Sequence, residues 1–168
     1  MIAWYLVYTK PRLEKLAELN LNRQHFHTYL PFIQTLRRHR GRYKTLIEPL
    51  FPRYLFIELN SQVGDWSKIR STKGCISLVC FAGIPAQVPL KLIAYLKSNE
   101  EIRMKNTTNL TPEFKTGDKI RVVEGLLQDY EGIVKAKNSQ ERITLLLFLA
   151  EGHTREITLS AHQIEKVG

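Results

Sequence analysis

The chain of 168 residues carries 25 Lys and Arg against 16 Asp and Glu, a formal charge of +9, with 43% hydrophobic and 24% charged residues. That composition excludes a wholly disordered chain, and the length suits one large domain or two small ones. No uninterrupted apolar run approaches the roughly 20 residues of a membrane span.

Trp4-Tyr5-Leu6-Val7-Tyr8 is rich in aromatic and β-branched residues and reads as a buried strand. Pro11 suits a helix's first turn, and Leu13, Leu16, Ala17 and Leu21 recur at helical spacing, which predicts a helix over 11–24. Strands are expected at 29–36 and at 45–59, the latter interrupted by Pro49 and Pro52. Trp66 to Arg70 reads as a short helix, Cys75 to Phe81 as an apolar strand and Pro89 to Ser98 as a second long helix. This β-α-β-β-α-β-α order makes residues 1–100 an α/β sandwich with a mainly antiparallel sheet, and the fold class α+β. Residues 103–112 are polar, with an Asn/Thr cluster and Pro112. They mark a linker, which places the boundaries at 1–100, 101–112 and 113–168.

Residues 113–168 support two readings. Gly117, Gly125, Gly132 and Gly152 punctuate short apolar runs, as in a small β-barrel. The same segment obeys helical spacing at Ile120, Val123, Leu127, Tyr130 and Val134, and again at Ile143, Leu146, Leu147, Ala150, Thr154 and Ile157. Each glycine costs a helix about 1 kcal/mol relative to alanine, so propensity favours the barrel while periodicity permits a helical hairpin.

The charge is lopsided. Residues 1–109 hold 17 Lys and Arg against 7 Asp and Glu, a net of +10, whereas residues 110–168 hold 8 against 9, a net of −1. A basic first unit suits a polyanion, because neutralising phosphates releases condensed counterions. The two cysteines, Cys75 and Cys80, cannot form a disulfide framework, and no basic stretch precedes an apolar run at the start. Both features predict a cytoplasmic protein without a secretory signal.

Nothing in the chain reads as catalytic. The phosphate-cradling GxxxxGK[ST], GxSxG and HExxH patterns are all missing. His25 and His27 stand two apart with His39 nearby, but such a pair shares no helix face and no CxxC supports it, so no metal site and no cofactor is expected.

Three features stand out. Arg37-Arg38-His39-Arg40-Gly41-Arg42-Tyr43-Lys44 reads as a basic hairpin tip, with Arg38, Arg40 and Arg42 as phosphate contacts and Tyr43 able to stack on a base. In Tyr54 to Leu59 the side chains alternate. Leu55, Ile57 and Leu59 suffice for one core face, and Tyr54 and Phe56, with Phe51 close by, leave a second apolar face that something must cover. Lys115 to Gly125, continued by Tyr130 to Val134, is a run of glycine turns between short strands.

Together these motifs resemble the NusG-type transcription elongation factors, and within them the RfaH branch. The opening Trp4 to Tyr8 with Lys10, the block Glu48-Pro49-Leu50-Phe51-Pro52 through Tyr54-Leu55-Phe56, the turn Ser71-Thr72-Lys73-Gly74 and the KOW-like Gly117 to Val134 carry the likeness. It spans nearly the whole chain, with an NGN domain in residues 1–100 and a KOW domain in 113–168. The resemblance implies that Tyr54 and Phe56, with Tyr8, Phe51, Ile93 and Leu96, pack on the clamp helices of the largest RNA polymerase subunit and hold the enzyme in a pause-resistant state. It implies that Lys10, Arg23, Gln24, Thr72 and Lys73, joined by Arg40, read the non-template DNA strand. It also implies that the C-terminal unit of a monomeric protein covers the aromatic face as an α-helical hairpin. After release that unit becomes a five-stranded barrel able to recruit the small ribosomal subunit. Glu48 and Arg142 are expected to pair across that interface.

Two positions depart from the branch's pattern. Asp65-Trp66-Ser67 replaces a His-Thr-Thr run that contacts the opposing polymerase lobe, and Leu16 stands where a basic DNA-facing residue is expected. The competing reading is a ribosome-associated or RNA-binding KOW protein acting without polymerase. The Phe51, Tyr54 and Phe56 face separates the two, because RNA binding alone does not need it.

Overall fold

The computed structural model describes residues 1–105, 132–133, 136 and 138–167. Its centre is an antiparallel sheet in the order β2 (His27–Tyr29), β5 (Tyr54–Asn60), β1 (Ile2–Thr9), β6 (Cys75–Leu78), with β9 (Gln87–Val88) also paired to β1. The long β1–β5 ladder sets Tyr5 against Ile57, Leu6 against Phe56 and Tyr8 against Tyr54. Two hairpins stand apart as two-stranded sheets. One is β3 (Phe32–His39) with β4 (Arg42–Pro49), and the other is β7 (Cys80–Phe81) with β8 (Ile84–Pro85).

The alternation along β1 and β5 divides the core into two layers. Tyr5, Val7, Leu55, Ile57 and Leu59 face α1 (Glu14–Arg23) and α2 (Ser67–Ser71), packing with Ala17, Leu21, Ile69 and Cys75. Trp4, Leu6 and Phe56 face the other way, toward Leu92, Ile93 and Leu96 of α3 (Leu90–Ser98). This is the α/β domain with antiparallel sheets expected from the sequence.

Several boundaries move for local reasons. α1 begins at Glu14 rather than Pro11, because Arg12 takes φ 63° in a tight turn and Leu13 N donates to the Lys10 carbonyl. The strand expected at 29–36 divides at Leu30-Pro31, where the Pro31 carbonyl accepts from Leu50 N. The strand expected at 45–59 divides at 50–53, and Arg53 there has φ 73°. Residues 101–105, read from sequence as the start of a linker, lie in α4 (Glu100–Lys105), and Arg103 is buried. Its Nε donates to the Phe32 carbonyl and its Nη2 to the Tyr29 hydroxyl.

The last element is a long helix, α5 (Ser139–Val167). Asn138 Oδ1 accepts from Glu141 N at its start, a side-chain cap that satisfies one otherwise orphaned amide. Leu146, Leu149 and Ala150 enter the Phe56 layer, with Ile143 and Leu147 partly buried beside them. Gly152 lies inside the helix with open space where a side chain would be, so its cost is confined to propensity. The expected first arm of the hairpin, with its stripe from Ile120 to Val134, and the KOW-like run Gly117 to Val134 lie outside the described residues, apart from Gly132 and Ile133. Ile133 is fully buried in the same layer.

Candidate polymerase and nucleic-acid surfaces

The aromatic face is built by the α3-facing side of β5 and the bend before it. Phe51 meets Phe56 edge-on at 5.8 Å between centroids, and Tyr29 stacks on Phe56 at 6.0 Å. Phe51 and Phe56 are each 1% exposed, and Ile93 and Leu96 are equally enclosed. Tyr8 and Tyr54 stay half-buried with rings 5.2 Å apart, and the Arg53 guanidinium lies 4.4 Å from the Tyr8 ring centre. Burial, reinforced by Tyr8 and opposed by Arg53, raises the Tyr54 phenol above its ordinary range. Of the six residues expected to meet the polymerase, the structure encloses four and leaves only the two tyrosines within partial reach of a partner.

α5 closes over this layer. Besides its leucines, it sends Arg142 into the interface, where Nε donates to the Leu50 carbonyl at 2.7 Å and Nη2 lies 3.7 Å from Glu48 Oε1. Glu48 also accepts a 2.8 Å bond from Arg37 through Oε2. Arg142 is 3% exposed. Burial disfavours its cation, Glu48 restores part of that loss, and Arg37 opposes it. Farther along, the Thr154 hydroxyl accepts from Gln87 N at 3.0 Å, tying α5 to β9. The structure therefore brings Glu48 and Arg142 together, with Leu50 as the closer partner.

The residues expected to read DNA fall into two groups. Lys10, Gln24, Thr72 and Lys73 converge where β1 and α1 end and β6 begins. Lys10 N donates to the Gly74 carbonyl, Asn20 Nδ2 to the Lys73 carbonyl, and Gln24 Nε2 to the Thr72 hydroxyl at 2.8 Å. Arg23 precedes Gln24 at the end of α1, exposed. Thr72 is turned inward. It is 6% exposed, and its hydroxyl donates to the Lys68 carbonyl while accepting from Gln24. Gln24 Nε2 donates to the Asn20 carbonyl as well, so Thr72 and Asn20 hold its amide together, while Lys10, Arg23, Gln24 and Lys73 are exposed.

The second group lies on the β3–β4 hairpin, whose two-residue turn uses Arg40 (φ 50°) and Gly41 (φ 77°). Two successive positive φ values make it the turn whose twist matches paired strands. The register pairs Arg37 with Lys44, Arg38 with Tyr43 and His39 with Arg42. Side chains alternate across a strand, so Arg37, His39, Arg42 and Lys44 share one face, while Arg38 and Tyr43 share the other. Arg38, Arg40 and Arg42 are therefore not one patch, as the linear sequence suggested. Arg37 and Lys44 belong with Arg42; their signal was the basic run itself, which has no face until the turn is placed.

The Asp65-Trp66-Ser67 segment is tied up locally. Asp65 Oδ1 accepts from both the amide and the hydroxyl of Ser67, which holds its carboxyl below the ordinary range. Trp66 packs on Tyr5 at 5.2 Å. Arg103, buried against Tyr29, carried no sequence signal because it sits in a polar stretch.

A family model described as "Transcription termination factor nusG" matches residues 2–97. A transcription termination/antitermination protein NusG of Thermus thermophilus is 25% identical over 98% of this chain and 98% of its own length. One from Staphylococcus aureus is 26% identical over 98% of this chain and 95% of its own. Among solved structures, one titled "Domain interaction in Thermotoga maritima NusG" aligns with 71% of this chain and 69% of its own at a TM-score of 0.40 and 19% identity.

Proposed function

The chain belongs to the NusG family and so acts on transcription, and we propose that it does so as an elongation and antitermination factor of the RfaH-like kind. The Phe51–Tyr54–Phe56 face docks on the clamp helices of RNA polymerase after α5 leaves it. Lys10, Arg23, Gln24 and Lys73 contact the non-template strand, and the β3–β4 hairpin adds phosphate contacts. The C-terminal unit, once released, is free to engage the small ribosomal subunit.

The observation that carries this reading is the second face of β5. Phe51 and Phe56 are 1% exposed, and Leu146, Leu149 and Ala150 of α5 join Leu92, Ile93 and Leu96 of α3 in the layer that buries them. An aromatic face of this kind is a protein-docking surface when bared, and α5 holds to it through its apolar stripe, the Arg142–Leu50 bond and the Thr154–Gln87 bond, contacts that another protein surface could replace. The uneven charge, +10 in residues 1–109, supports the nucleic-acid part.

Core RNA polymerase without ribosomes tests the proposal. Full-length protein should be retained by polymerase stalled on a suitable exposed non-template strand and should shorten pauses there. Tyr54→Ala should weaken retention without unfolding the chain. Retention by ribosomes and none by polymerase would favour the RNA-binding alternative.

A further inference from the structure

Glu48 is held from two sides. Its Oε2 accepts a 2.8 Å bond from Arg37 of the hairpin, and its Oε1 lies 3.7 Å from Arg142 of α5. Arg37 is the exposed partner and Arg142 the buried one, with side chains 61% and 4% exposed. Arg142 Nη2 is buried without a hydrogen bond, so the α5 cation is under-compensated while Arg37 holds the carboxylate. Arg37 stands directly across from Lys44, with Arg42 on the same face; Glu48 lies farther along that face, and no acidic residue falls between 37 and 44.

We propose that Arg37, Lys44 and Arg42 form a phosphate-binding face on the hairpin, and that Glu48 couples this face to the docking of α5. The proposal rests on the nucleic-acid reading above and deepens it by naming the face and its regulation. A phosphate that takes Arg37 supplies the anion Arg37 now draws from Glu48. The carboxylate is then free to complete its pair with Arg142, and the like-charge push of Arg37 on Arg142 is cancelled. Nucleic acid on the hairpin alone therefore tightens the cover. Release of the cover requires the separate ligands that compete for the aromatic face. Coupling of this kind is reciprocal, so loss of the Arg142 contact leaves Glu48 to Arg37 and weakens phosphate binding.

The test uses the full chain and a single-stranded oligonucleotide of mixed sequence. Affinity is measured against salt, and hydrogen exchange is followed in the α5 amides of 143–155. The oligonucleotide should slow α5 exchange in the wild type. Arg37→Gln should flatten the salt dependence by about 0.7 in slope, one phosphate contact, and abolish the slowing. Arg38→Gln, on the opposite face, should leave the slowing in place. Glu48→Gln should raise oligonucleotide affinity while loosening α5. Unchanged or faster α5 exchange in a complex that plainly forms would overturn the coupling. An Arg37→Gln salt slope equal to wild type would overturn the phosphate face. No binding by the wild type even at low salt would instead remove the nucleic-acid reading on which both depend.

Discussion

Arg142 Nε donates a 2.7 Å hydrogen bond to the carbonyl oxygen of Leu50, wholly buried and joining positions 92 residues apart. Leu50 opens the bend that carries Phe51, so this bond ties the start of the helix to the aromatic face. Arg142→Met keeps the length and loses the donor. A hydrogen bond to a charged group is worth about 1.5–3 kcal/mol, and the Leu50 carbonyl would stay buried without it. Hydrogen exchange in the α5 amides should accelerate about tenfold or more, with retention by polymerase rising in parallel. Exchange rates equal to wild type would show that the leucines alone hold α5.

Phe56 and Tyr54 should part company in mutagenesis. Phe56 is enclosed by Phe51, Tyr29 and α5, and Phe56→Ala should cost about 3–5 kcal/mol of stability, read as a shifted urea midpoint. Tyr54 is half-exposed, and Tyr54→Ala should shift the midpoint far less while weakening polymerase retention more than its stability loss explains. If Tyr54→Ala binds polymerase as well as wild type, the face is not the docking surface.

Thr72→Val removes the closer of the two acceptors of Gln24 Nε2, leaving the Asn20 carbonyl, and leaves the Lys68 carbonyl with the Ser71 hydroxyl as its side-chain donor. The stability loss should be about 1 kcal/mol, and sequence preference among oligonucleotides should relax more than overall affinity falls. Thr72→Ser should restore both. Equal behaviour of the Val and Ser variants would mean that the hydroxyl does not position Gln24.

Two glycines at positive φ make different predictions. Gly41 has open space around it, so Gly41→Ala should cost only the left-handed penalty of about 1–2 kcal/mol. At Gly74 a Cβ would also lie 2.9 Å from the Ala17 backbone nitrogen, which cannot give way without shifting α1. Gly74→Ala should lower the urea midpoint clearly more than Gly41→Ala. Similar midpoints would show that α1 moves freely there.

Burial pushes the Cys75 thiol up from an ordinary value of 9.0 to about 11, whereas Cys80 is exposed. A thiol-specific reagent at pH 8 should label Cys80 in the folded protein and both residues in denaturant. The raised folded value means the native state holds its proton more tightly. The contribution is therefore complete below pH 9 and is lost as pH rises toward about 11. Cys75→Ala should remove that part of the alkaline decline; rapid native labelling of Cys75 would contradict its burial.

Local pattern by itself determined much of this protein. The period-two alternation of β5 separated Leu55, Ile57 and Leu59 from Tyr54 and Phe56, and it announced an apolar face in need of a cover. The motifs from Trp4 to Gly74 were enough to point to the family. Tertiary structure decided what local pattern left balanced. The stretch from Ile143 onward satisfied both strand and helix rules, and the helix is realised where Leu146, Leu149 and Ala150 have Phe51 and Phe56 to bury against. A one-stripe helix gains most of its stability from such a surface rather than from propensity. Thr72 looked like a free turn residue because its partner, Gln24, lies 48 positions away, and Arg103 looked like linker until β2 and β3 closed over it. Arg38 and Arg42 looked like neighbours until the turn at Arg40–Gly41 fixed the register, because in a strand a shift of one residue exchanges the faces.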